Sequence, residues 1–379
     1  MKKLSRRQFS LRVAMAGAAL AAPRLAHTQA PETSERTVFT LAGTGSASRD
    51  IEASGALAVR SAINNPYGIV DGPDGALYFC EVDTGRIRRV SLQTNRLNTI
   101  AGNGEKGFEA ESRNPLETPF SAPHEIRWDD SNSLYVVERD SHCVRRIAGE
   151  SGLVTSLAGD GKPGFKGDDR SAVLSQLNQP HSIAFDSRGN LLICDTGNSR
   201  LRLVSRDTGI ITTVSGNGKD TTTPDSGPMV GTPLLGPRSL DTDPDGNIYL
   251  VLREGNAVYV LNPKANTLTR LAGTGETGYS GDGGAALVAT FNGPKGIAYS
   301  RADNSLYIVD TENHAIRKIK LATGVIETVL GTGEKGDGPE GDPALCKLNR
   351  PHGVCLFRRV LYVTDSENHR IRAVTGLFG

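Results

Sequence analysis

The stretch Asn178-Gln-Pro-His-Ser-Ile183 decides the fold, because the chain repeats it. It returns as Asn292-Gly-Pro-Lys-Gly-Ile297 and as Asn349-Arg-Pro-His-Gly-Val354. Prolines hold the same place six times, at Pro66, Pro123, Pro180, Pro237, Pro294 and Pro351, each 57 residues after the one before. A fixed period of this size marks a solenoid, a propeller or an array.

Every unit reads alike outward from its proline. A short apolar run such as Gly296-Ile-Ala-Tyr299 is followed by turn chemistry such as Asp243-Pro-Asp-Gly246. A second apolar run follows, as in Ser305-Leu-Tyr-Ile-Val309, and then an alternating one, as in Ile316-Arg-Lys-Ile319. A fourth run ends in a Gly-x-Gly corner, as in Ile326-Glu-Thr-Val-Leu-Gly-Thr-Gly333. Short alternating segments between turns predict antiparallel strands, and four per unit make one propeller blade. The sixth unit stops after Ala373-Val374, short of its fourth strand. Thr37-Val-Phe-Thr-Leu-Ala-Gly-Thr-Gly45 carries the missing pattern, so an N-terminal strand is expected to complete the last blade and leave no open edge.

The motif Asp310-Thr-Glu-Asn-His-Ala-Ile-Arg317 and its counterpart Asp365-Ser-Glu-Asn-His-Arg-Ile-Arg372 resemble the signature of NHL repeats. The resemblance covers roughly residues 36–379 and implies an all-β, six-bladed β-propeller in a single domain. It implies no activity, because this fold hosts binding modules and enzymes alike.

Ser5-Arg-Arg-Gln-Phe9 precedes the small-residue apolar stretch Val13–Ala22. Paired arginines before a short apolar region read as a twin-arginine export signal within residues 1–30, with no clear cleavage point. The stretch is shorter than the ~20 residues that span a bilayer, so no integral membrane segment is expected after signal removal. The expected location is the periplasm or the extracellular space, and the expected state a monomer. A formal net charge of +1 gives no global field for nucleic acid. Cys80, Cys143, Cys194, Cys346 and Cys355 form an odd, scattered set rather than a disulfide framework, and are expected to be small buried residues.

Two motifs are set aside. Gly102-Asn-Gly104-Glu-Lys-Gly107 fits a dinucleotide fingerprint but recurs at blade corners, where glycine serves backbone geometry. Asp241-Thr-Asp-Pro-Asp-Gly246 mimics a calcium loop, yet its twelfth position is Leu252.

Six histidines fall at two repeat positions. His142, His314 and His369 lie between strands two and three. Beside them run an acid, Glu81, Glu138, Asp195, Asp310 or Asp365, and a base, Arg88, Arg145, Arg202, Arg317 or Arg372. In the fourth unit both change together, to Leu252 and Tyr259, as a paired acid and base would. This belt, with Asn198, Asn313 and Asn368, reads as scaffolding.

His124, His181 and His352 directly follow the proline. The full ring at that position is Tyr67, His124, His181, Arg238, Lys295 and His352, expected around the channel mouth and without a carboxylate. Three readings stay open. The side chains bond to corner loops; or the ring binds a small anionic ligand; or His124, His181 and His352 hold a divalent metal such as zinc. Peptidyl-hydroxyglycine amidating lyases, six-bladed relatives, place zinc-binding histidines at such Pro-His positions, on alternate blades. Here they sit on blades 2, 3 and 6, beside two cations. The expectation is a ligand-binding or protein-interaction module with a small anion or an extracellular protein on its His-bearing face. The alternative is a metal-dependent lyase or hydrolase using the same ring.

Overall fold

The structure, a computed structural model, describes residues 35–49 and 55–378. The export-signal residues 1–30 lie outside them. Six antiparallel sheets form the ring. Blade 1 runs outward from the channel through Pro66–Asp71, Leu77–Glu81, Arg86–Val90 and Arg96–Ala101. Blades 2 to 5 repeat this from inner strands Pro123–Trp128, Ser182–Phe185, Pro237–Thr242 and Gly296–Ser300. Blade 6 has Val354–Phe357, Val360–Asp365 and Arg370–Thr375.

Its fourth strand comes from the other end of the chain. Thr37–Ala42 pairs antiparallel with Arg370–Thr375, with Val38 opposite Val374 and Thr40 opposite Arg372. The expected closure is therefore present. It buries Val38, Leu41 and Ala42, which join the apolar clusters on either side of blade 6. Each apolar cluster lies between two neighbouring blades. The core is thus a set of blade-on-blade contacts around the ring.

The sequence pattern missed one element. Two- or three-residue strands, Ala56–Leu57, Glu111–Ser112, Arg170–Ser171 and Ser226–Pro228, lie outside the fourth strand of blades 1 to 4. They belong to the connections that arrive from the preceding blade, so the connection covers the outer edge before crossing inward. The glycine corners enable that crossing. Gly102 has φ +94°, and a Cβ on it would lie 2.1 Å from the Gly85 carbonyl oxygen. No α-helix follows these glycines among the described residues, so no phosphate loop is built. All five cysteines are buried and free.

The belt pairs form as expected. Glu81–Arg88 (2.8 Å), Glu138–Arg145, Asp195–Arg202 (3.1 Å), Asp310–Arg317 (3.3 Å) and Asp365–Arg372 (3.0 Å) are all buried. Each acid is further satisfied. Asp195 accepts from Asn198 Nδ2 (2.8 Å) and from the Asn178 amide (2.7 Å). Three of the arginines also reach a second acid on a connection: Arg202 meets Asp168 (2.7 Å), Arg317 meets Asp282 (2.8 Å), and Arg372 meets Asp337. In blade 4 Tyr259 replaces the arginine, and its hydroxyl donates to the Thr223 carbonyl (3.0 Å).

Candidate functional site

The residue before each blade-start proline sits in the left-handed region, with φ between 45° and 66° at Asn65, Ala122, Gln179, Gly236, Gly293 and Arg350. That turn aims its amide toward the preceding blade. His142, His314 and His369 accept those amides: Nδ1 takes the N–H of Gln179 (3.0 Å), Arg350 (3.0 Å) and Asn65 (3.1 Å) respectively. In blade 4 Asn256 Oδ1 does the same for Gly293 (2.9 Å). The outer histidines are therefore clips between blades, and the scaffold reading extends to them.

The next residue after each proline turns to the channel. In blades 1, 2 and 4 the pairing register slips between the proline and the strand, a bulge that re-aims Tyr67, His124 and Arg238. The structure brings these residues together. The His124 ring meets Tyr67 at 4.9 Å and His181 at 4.8 Å between centroids, both edge-on. Tyr67 stacks on His352 at 3.8 Å. Lys295 Nζ lies 3.4 Å from His352 Nε2.

The ring is deeply set. His124, Arg238, Lys295 and His352 are only 4–7 % exposed. Burial, then the charge of Arg238, pushes His124 and His181 well below the usual imidazole range. Burial, then Lys295 and Arg238, does so for His352. This favours the neutral imidazoles at pH 7. Burial lowers Lys295 to about 8 and Arg238 to about 10.

Two further observations bear on the ring. It is not free of carboxylates: Glu312, on the turn after blade 5's second strand, accepts from Lys295 Nζ (2.8 Å) and from both Nε and Nη2 of Arg350 (2.8 and 2.9 Å). Burial opposes ionisation there, but the bonds from Arg350 and Lys295 outweigh it and hold Glu312 at about 2. The metal reading of His124, His181 and His352 finds no support in the geometry. Among the described residues no three His, Cys, Asp or Glu side chains are arranged to hold an ion. Tyr67 lies between His124 and His352, the third imidazole nitrogen faces Lys295, and Arg238 repels a cation.

Arg238 is the outlier. Among the described residues every other buried arginine makes a hydrogen bond, whereas the Arg238 guanidinium makes neither a hydrogen bond nor an ion pair. Its neighbour across the strand pair is Leu252, opposite Pro237, where five other blades carry an acid. Glu125 acts on it only at a distance, being committed to Arg127. At the far ends of the inner strands Asp71, Arg127, Asp241, Trp128 and Tyr299 line a cavity of about 460 Å³.

The NHL repeat family model matches residues 177–202, 291–319 and 348–373, each spanning a blade start and the signature that follows. The chain belongs to the NHL-repeat six-bladed β-propellers. The propeller is 27 % identical to the protein SUPPRESSOR OF QUENCHING 1, chloroplastic, of Arabidopsis thaliana, over 73 % of this chain and 27 % of that protein. It is 24 % identical to NHL repeat-containing protein 2 of Homo sapiens, over 71 % of this chain and 40 % of that one. The chain thus spans about a quarter to two-fifths of the length of these relatives. Among solved structures, an auxiliary nutrient binding protein from Bacteroides thetaiotaomicron superposes with TM-score 0.64 at 17 % identity, covering 90 % of this chain and 76 % of that one. Virginiamycin B lyase from Staphylococcus aureus superposes with TM-score 0.51 at 15 % identity, covering 90 % and 99 %. These structural likenesses show the fold alone. No helix among the described residues is long and apolar enough to cross a membrane.

Proposed function

We propose that this propeller is a binding module and that a small anion occupies the ring of Tyr67, His124, His181, Arg238, Lys295 and His352. One observation carries the reading: a buried arginine at the channel whose guanidinium makes no hydrogen bond or ion pair within the protein. A buried unpaired charge costs several kcal/mol, and an anionic ligand offsets that cost. The nutrient-binding neighbour supports a binding role for the fold. Binding of a carboxylate probe, measured by calorimetry, should fall at least tenfold in Arg238→Ala, and an unchanged affinity would move the site elsewhere. Lys295→Ala should weaken it less, because Glu312 already neutralises that amine. The propeller is further proposed to act outside the cytoplasm, on the strength of Arg6 and Arg7. Arg6→Lys with Arg7→Lys should leave precursor in the cytoplasmic fraction; normal export of that variant would refute the signal.

A further inference from the structure

The ring imidazoles have fixed tautomers. A carbonyl oxygen only accepts, so the nitrogen facing it carries the proton. His124 Nδ1 lies 2.9 Å from the Ala122 oxygen and His181 Nδ1 2.8 Å from the Gln179 oxygen. Both therefore donate from Nδ1. His352 Nδ1 meets Ser366 Oγ (3.0 Å), whose own proton goes to the Pro66 carbonyl, so His352 donates from Nδ1 as well. Each neutral imidazole is left with a lone pair on Nε2. For His352 that lone pair faces Lys295 Nζ. For His124 and His181 no hydrogen bond among the described residues uses it.

The ring thus offers one unpaired fork of donors and two unused acceptors beside it. His124 and His181 touch edge-on, and Arg238 is the foremost charge acting on both. The acceptors exclude a bare inorganic anion as the best fit, since its oxygens would face lone pairs. The charge count disfavours a dianion: Lys295 and Arg350 are balanced by Glu312 and Glu367, leaving Arg238 as the uncompensated cation. The match is a monoanion that carries hydrogen-bond donors next to its charge. We infer that the ring binds a small hydroxycarboxylate, its carboxylate on the Arg238 fork and its hydroxyls donating to Nε2 of His124 and His181. This inference rests on the anion reading above and assigns the chemical class.

Calorimetry with matched probes tests it: lactate against propionate, gluconate against hexanoate, and sorbitol as the uncharged polyol. At least one hydroxy acid should bind tenfold or more tightly than its deoxy partner, and sorbitol should not bind. His181→Phe, which keeps a ring but removes the acceptor, should bring the ratio of hydroxy-acid to deoxy-acid affinity down toward one. A second variant, His181→Gln, keeps a side-chain acceptor and should retain part of the preference if the phenylalanine variant fails to fold. Equal affinities within each pair would overturn the hydroxyl contacts and leave the anion site standing. No binding by any acid would overturn both. Binding that appears only with added zinc would also overturn it, because Nε2 would then be metal ligands.

Discussion

Among the described residues, five of the seven buried arginines face a carboxylate and Arg86 donates to the Arg49 carbonyl, whereas Arg238 of the fourth blade has no partner. Arg88, Arg145, Arg202, Arg317 and Arg372 sit in the belt, paired with the acid at the end of strand two. Arg238 sits one shell inward, and the position that would supply an acid beside it is Leu252. Both kinds of side chain are buried, but the Arg238 guanidinium keeps a narrow contact with the channel's solvent. On the proposed reading, the difference separates what the fold needs for itself from what it offers to a ligand. Paired charges that also satisfy backbone amides fix one blade on the next. An unpaired charge in a channel lowers stability, a cost that the proposed anionic ligand would offset.

The largest effect should come from the closing strand, which shelters a belt pair. Thr40 Oγ1 accepts from Arg372 Nη1 (2.7 Å), and Val38 and Leu41 are buried on the two sides of blade 6. Deleting residues 36–45 removes two apolar side chains worth roughly 1.5–3 kcal/mol each and exposes a sheet edge. The loss in a urea titration should reach about 5 kcal/mol, and a variant that melts like the parent would refute the closure.

Next comes the belt itself. Glu138→Ala leaves Arg145 fully buried with no carboxylate and should cost on the order of 3–5 kcal/mol. Asp195→Ala should cost clearly less, because Arg202 keeps Asp168. Equal losses would show that the second acids contribute nothing.

The smallest effect is a pH dependence. His124, His181 and His352 are held below their unfolded value, so the unfolded chain binds protons first as pH falls. Their contribution is present above about pH 6.5 and is lost below it. Burial pushes Asp195, Asp310 and Asp365 up to about 6 against their hydrogen bonds, which works in the opposite sense. The belt contribution cancels when parent and variant are compared at one pH. Arg238→Met removes a cause of the histidine depression and should make stability fall less steeply between pH 6.5 and 5 than in the parent. Parallel pH profiles would separate the ring histidines from Arg238.

The blades and their closure were legible because the repeat is covalent: a period of 57 places each proline, acid and arginine at equivalent sites. The ring was legible for the same reason. What escaped depends on contacts between repeats. Glu312 reaches Lys295 and Arg350 from the loop of one blade to the start of the same and the next, and no spacing announces it. Asp168, Asp282 and Asp337 meet the belt from connections whose sequences differ. The clips of His142, His314 and His369 go to backbone amides turned by positive φ, which leaves no side-chain signal. Two-residue strands are too short to show alternation.

The most direct test of the difference between Arg238 and the belt is the stability of Arg238→Met without added ligand. Chemical denaturation at pH 7.5 should give a value equal to the parent's or higher, by up to about 4 kcal/mol, because an apolar side chain of similar length replaces an unpaired buried charge. A loss of about 3 kcal/mol or more, as expected for a belt residue, would show that Arg238 holds the propeller together and is not kept for a ligand.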